Sequence, residues 1–258
     1  MLPVATTSEN SRSSLLLVAA GLAGGALNAV AGVGSFLTLP ALVLAGLPAV
    51  TANASSTVAL LPGSLASAFA FRDDFRGFHG LSMRALLPLT VVGGVTGAAL
   101  LLATREAVFD RALPWLFLTG TLAFAFGRRA GAFLRTFVRI GPAPLLAAQF
   151  ALAVYGGYFG GAVGLMMMAF WTLFGVDDLR AMNAAKALLV GSLNCVAVAC
   201  FAAAGAVAWL PAAVMGAAAI AGGYLGARLG RRANQARLRV AISVLNVVLT
   251  VALFARGR

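Results

Sequence analysis

Two of the apolar stretches in this chain are too long to cross a bilayer once and too broken by glycine to be single helices. That restricts the fold more than any other feature of the sequence. A membrane-spanning helix needs about 20 apolar residues, and the candidates are residues 15–45, 51–71, 82–103, 111–126, 142–174, 178–204, 206–229 and 237–254. The first is interrupted by Ala31-Gly-Val-Gly-Ser35, and the fifth by Gly156-Gly157 and by Gly160-Gly-Ala-Val-Gly164. Glycine lets the backbone leave the helix at such points, so each long stretch is predicted to fold as two helical pieces with a broken centre. Composition agrees with a bilayer environment. Apolar residues make up 61% of the 258 and charged residues only 10%, against about 25% charged in soluble domains. The class is an all-α polytopic membrane protein whose main partner is the lipid bilayer.

The net charge of +12 does not point to nucleic acid. The cations gather in short loops between apolar runs instead of forming a stripe interleaved with aromatics, and the positive-inside rule accounts for them. If the two long stretches each crossed once, Lys plus Arg would divide 10 to 9 between the two faces. If each is a pair of pieces returning to its starting side, the loops 72–84, 128–139, 180–186 and 228–239 share one face and carry 14 cations, leaving 5 on the other. The paired reading is therefore preferred, with the 14-cation face cytoplasmic and both termini outside. It turns the second half upside down relative to the first. The first 14 residues lack a basic n-region, and the apolar run that follows has no clean cleavage site, so a retained first helix is expected.

A shift along the chain supports the duplication. Moving by 130 residues lays Val33-Gly34 on Val163-Gly164, Asn53-Ala54 on Asn183-Ala184, Ser56 on Lys186 and Ser64 on Asn194. A shift of 129 lays Gly93-Gly94-Val-Thr-Gly97-Ala98 on Gly222-Gly223-Tyr-Leu-Gly226-Ala227. Inverted repeats with broken helices are an arrangement of secondary transporters, in which one half rocks against the other around a central site. The expected division is an N-terminal tail over 1–14, a first transmembrane repeat over 15–127, a basic cytoplasmic linker over 128–141 and a second repeat over 142–258. Each repeat would hold a broken helix pair followed by three transmembrane helices.

Lys186 is the single lysine, and it falls inside an apolar run. A charge at a helix centre in the bilayer costs roughly 2.5 to 3.5 kcal/mol on insertion scales, so one kept there is a functional candidate; the plain alternative is a long side chain snorkelling to the headgroups. Helix pieces that begin within the membrane offer unpaired N–H groups and the positive end of a dipole. Gly34, Ser35 and Gly164 are thus candidates for holding an anion by its oxygens, with close helix packing the other reading of the glycines. Asn53 and Thr57 lie one turn apart on one helix, and Asn183, Lys186 and Asn194 are spaced 3 and 8 on another, which places each set on roughly one face. For each amide or hydroxyl alone, an interhelical hydrogen bond is the structural alternative.

The acidic residues Glu9, Asp73, Asp74, Glu106, Asp110, Asp177 and Asp178 all fall in loops or at predicted helix ends. A site without a buried carboxylate suits an anion. An enzyme is not expected: the one histidine, His79, lies in a basic loop, and neither a Ser-His pair nor a His-rich metal site can be built from it. Cys195 and Cys200, five apart on one helix, form neither a disulfide within regular helix nor a metal site. No cofactor and no metal is expected.

These residues resemble the TauE/SafE family of membrane permeases, the sulfite exporters. The matching stretches are Gly32-Val-Gly-Ser-Phe-Leu-Thr-Leu-Pro40, Gly46-Leu-Pro48 and Ala52-Asn-Ala-Ser-Ser-Thr-Val-Ala-Leu-Leu-Pro-Gly-Ser64 in the first half. In the second they are Gly160-Gly-Ala-Val-Gly164, Asn183-Ala-Ala-Lys186 and Asn194-Cys-Val-Ala197. The chain departs from the family pattern at Ser35, where members often carry glycine, and at Phe170, where proline is frequent. The resemblance implies export of sulfite or a small organosulfonate across a bacterial inner membrane, driven by a proton or sodium gradient. A permease for another small anion and an anion channel are the alternatives, and a homodimer is left open.

Overall fold

The structure is a computed structural model and describes residues 7–72, 82–134, 142–173, 176, 178–230 and 235–256. His79, Asp73, Asp74 and Asp177, weighed above, lie outside them. Among the described residues the chain forms ten helices: α1 (Thr7–Ala31), α2 (Ser35–Leu44), α3 (Ala49–Ala70), α4 (Met83–Ala103), α5 (Glu106–Leu134), α6 (Pro142–Tyr158), α7 (Val163–Leu173), α8 (Leu179–Ala203), α9 (Trp209–Gly230) and α10 (Gln235–Arg256). Four contain stretches long and apolar enough to cross a bilayer: Ser13–Ala31, Met83–Ala103, Ala181–Ala203 and Trp209–Gly226. The protein is an all-helical, multi-pass membrane protein.

Both long stretches break. The first helix stops at Ala31 and the next starts at Ser35, with Gly32 at φ +69° between them. The second break runs from Phe159 to Ala162, with Gly160 at φ +78° and Ala162 at φ +59°. Gly32 and Ala162 are 130 residues apart, so the left-handed turn recurs at the shift seen in the sequence. For an alanine that conformation costs roughly 1 to 2 kcal/mol. Gly156 and Gly157, expected to help break this stretch, stay inside α6. Their work is packing: a Cβ on Gly157 would strike the Gly94 carbonyl of α4.

That contact belongs to a general pattern. Lipid supplies little hydrophobic drive between helices, so small residues that let backbones touch hold the bundle together. A Cβ on Gly97 would strike the Val154 carbonyl of α6, one on Gly25 the Ala219 carbonyl of α9, and one on Gly222 the Leu22 carbonyl of α1. The largest helix interfaces, α1 with α9 and α4 with α6, therefore each join one half of the chain to the other.

The register of these contacts gives helix directions. Gly21 meets Met215 while Gly25 meets Ala219, so α1 and α9 run parallel; Gly93 meets Phe150 and Ala153 while Gly97 meets Val154 and Tyr158, so α4 and α6 do too. By contrast, α3 and α8 are antiparallel. Ser55 accepts the Ala208 N–H just beyond the end of α8, Ser64 meets Asn194, and Ala68 meets Gly191. Helices α5 and α10 are antiparallel as well, with Trp115 against Phe254 and Thr121 against Thr250.

Between the halves lies an aromatic cluster. Phe36, Phe117 and Phe159, all buried, meet edge to face, and Tyr155 joins them. This pins the short α2 and the turn after α6 against α5. The last of these helices is longer than the predicted 111–126 and runs on to Leu134, into the stretch expected as a linker.

Candidate functional site

The second break carries the charge. The stem of Lys186 lies against Gly164, where an added Cβ would come within 2.9 Å of Cγ and 3.0 Å of Cδ. One of its three N–H donors goes to Asn183 Oδ1 at 3.0 Å; the other two have no partner among the described residues. Asn183 and Lys186 are three apart on α8 and so share a face. Beside them α7 begins. Its first N–H groups bonded back into the chain are those of Leu165 and Met166, both to the Ala162 carbonyl at 3.0 Å, which leaves the preceding amides at the positive end of the helix. An ammonium beside a helix start is an arrangement that favours an anion.

In the first half the same place is filled differently. Ser56, the counterpart of Lys186, shares a 2.6 Å hydrogen bond with Thr38 of α2, and Thr38 Oγ1 also lies 3.2 Å from the Gly34 carbonyl. Both side chains are fully buried. Gly34 starts the α2 region as predicted, pressed against the Gly24 carbonyl and the Asn28 side chain of α1, and Leu60 of α3 closes its other side. Ser35 is the first residue of α2 and half-buried.

Of the remaining candidates, Asn53 and Asn194 bond between helices and Thr57 within its own. Asn53 donates to the carbonyl of Tyr158, the last residue of α6, at 3.0 Å. Thr57 donates back to the Asn53 carbonyl at 2.9 Å. Asn194 donates to Ser64 at 3.0 Å. The structure thus gathers Gly164, Asn183 and Lys186 at one break and Gly34 and Ser35 at the other. Asn53 and Thr57 are engaged by backbone carbonyls, and Asn194 bridges the halves.

Three further polar groups have partners or places that the sequence does not show. Gln149 of α6 is buried among α4 and α7, donating to Thr90 at 3.0 Å and accepting from the Trp171 indole at 3.2 Å. Its signal was an amide in an otherwise apolar span. Glu106 accepts the Val50 N–H at 2.9 Å, so it closes the start of α3 from α5. It also borders a recess of about 260 Å³ with Val43, Leu47, Pro48, Ala49, Ala107 and Asp110, which none of the predicted site residues lines. Asn246 of α10 is fully buried, and neither atom of its amide finds a partner among the described residues.

Broken helices, halves joined through small residues and a half-buried ammonium at a break fit a membrane transporter. The chain belongs to the sulfite exporter TauE/SafE family, whose model matches residues 17–253. It is 31% identical over 235 residues to the probable membrane transporter protein YfcA of Escherichia coli, covering 89% of this chain and 85% of that one. A probable membrane transporter protein of Haemophilus influenzae is 28% identical over 240 residues, covering 91% and 92%. The probable membrane transporter protein ORF9 of a Sinorhizobium species is 30% identical over 248 residues, covering 94% and 91%. No solved structure matches the chain.

Proposed function

We propose that the protein is an ion-coupled exporter of a small sulfur oxyanion, sulfite or a small organosulfonate, working by alternating access between two inverted repeats. Lys186, with unused donors beside the start of α7, carries this reading. The anion would lie between the Lys186 ammonium and the Gly164 amide, with Asn183 and Asn194 of the same helix as hydrogen-bonding neighbours. Gly34 and Ser35 would be the corresponding contacts in the first half, and Asn53 and Thr57 would hold the wall between the halves. A half-buried ammonium with no acidic partner among the described residues is costly within a membrane span, and an oxyanion supplies the missing charge.

Helix directions support the inversion. If each broken stretch crossed the bilayer once, α3 and α8 would both run the same way, and so would α5 and α10. Both pairs are antiparallel, which agrees with stretches that return to their starting side and with loops carrying 14 of the 19 cations sharing one face. The family name carries sulfite as substrate. The test is counterflow in proteoliposomes: labelled sulfite uptake should be stimulated by sulfite inside the vesicle. Uptake indifferent to internal substrate would make the protein a channel.

A further inference from the structure

The fixed charge of the membrane interior is a single unit. Between residues 13 and 71, 85 and 104, 112 and 127, and 140 and 176 the chain has no charged side chain, and between 181 and 227 it has only Lys186. The loop and helix-end charges lie in water or among headgroups, where they are screened within about 8 Å. Repeat symmetry would allow a second cation at the position matching Lys186 in the first half. The residue there is Ser56, buried and already bonded to Thr38 at 2.6 Å. Gly34, matching Gly164, is likewise crowded by the Gly24 carbonyl at 2.5 Å from a built Cβ and by Asn28. The two breaks share a left-handed residue 130 positions apart and are unequal in charge.

We infer that the Lys186 site selects its substrate by net charge and takes the singly charged form: hydrogensulfite rather than sulfite, and monoanionic sulfonates over sulfate. This rests on the proposed site. One ammonium neutralises one negative charge. A second charge on the anion would face the neutral groups Asn183 and Asn194 and the partial charge of a helix start, which is about half an elementary unit. An unbalanced charge in this environment weakens binding by about 100-fold, the factor that corresponds to the insertion cost of one ionised side chain. Hydrogen-bond donors alone do not discriminate in this way, since a dianion accepts from them more strongly than a monoanion does.

The experiment is calorimetric titration of the purified full-length protein with methanesulfonate, sulfate and methylphosphonate. Methylphosphonate is nearly isosteric with methanesulfonate and is measured below and above its second ionisation. The expected result is methanesulfonate bound at least about 100-fold more tightly than sulfate. Methylphosphonate should follow methanesulfonate when singly charged and sulfate when doubly charged, with methanesulfonate affinity constant over the same pH range. Sulfate affinity equal to that of methanesulfonate, with both lost in Lys186→Gln, would keep the site and overturn the charge selection. Methanesulfonate affinity unchanged in Lys186→Gln and Lys186→Ala would overturn the site on which the inference rests.

Discussion

Asn194 donates to Ser64 across 3.0 Å, and the two residues are 130 positions apart in the chain. Thr121 and Thr250, 129 apart, meet in the same way at 3.2 Å. In the proposed inverted repeat these residues are counterparts, and counterparts touch each other beside the axis that exchanges them. Under that proposal the halves rock against each other about these two contacts.

A cysteine pair replacing Ser64 and Asn194, in a background with Cys195 and Cys200 changed to serine, should form a disulfide on mild oxidation, because the two positions face each other across the contact of α3 with α8. If rocking about this contact is needed, counterflow stops on oxidation and returns with a reductant. A fully cross-linked protein that still exchanges sulfite would place the moving surface elsewhere.

Lys186→Ala should weaken sulfite binding at least about tenfold, the loss of a charge-assisted hydrogen bond worth roughly 1.5 to 3 kcal/mol. Lys186→Arg should recover only part of it. Its stem crosses Gly164 at close range, and a planar guanidinium cannot fold onto that surface as an ammonium does. Titration calorimetry on the purified variants reads both.

Gly222→Val and Gly97→Val force side chains onto the Leu22 and Val154 carbonyls respectively. Each should destabilise the bundle by roughly 1 to 3 kcal/mol, the usual range for overpacking, seen as a lower midpoint in detergent unfolding. A variant at either position with an unchanged midpoint would contradict the contact.

Asn246→Leu removes an amide with no partner among the described residues. An unsatisfied buried polar group costs roughly 1 to 3 kcal/mol, so the leucine variant should unfold at a higher temperature than the parent protein. A lower unfolding temperature would show that the amide has a partner in the membrane.

Single cysteines placed at Ala130 and Gln235 should react with an impermeant thiol reagent from the cytoplasmic side only. Labelling from outside in intact cells would reverse the orientation given by the loop charges.

Glycine made the breaks legible: Gly32 and Gly160 sit at the turns because positive φ is cheap there. The proposed repeat is read from Asn53, Asn183, Ser64 and Asn194, and the contact between the last two is not legible in that pattern. A one-dimensional shift pairs Ser64 with Asn194 without saying that they touch. The bond from Asn53 to the end of α6 is not legible in spacing, and it forms because a helix terminus in an apolar surrounding needs a donor for its last carbonyls. Ser56 and Thr38 were missed as a pair since eighteen residues and a turn separate them. Gly156 and Gly157 were read as breakers because composition does not tell a glycine that bends a helix from one that lets another helix approach.

The crossed pairing of α1 with α9 and α4 with α6 also sets an order of events during synthesis. The first helix ends at Ala31 and its partner begins at Trp209. At translation rates of about 5 to 20 residues per second, α1 waits roughly 10 to 40 seconds with its glycine face against lipid. Neither half, expressed alone, holds the surface its opening helix packs on. Two fragments divided after the fifth helix should each remain incomplete and recover a stable bundle only when made in the same cell.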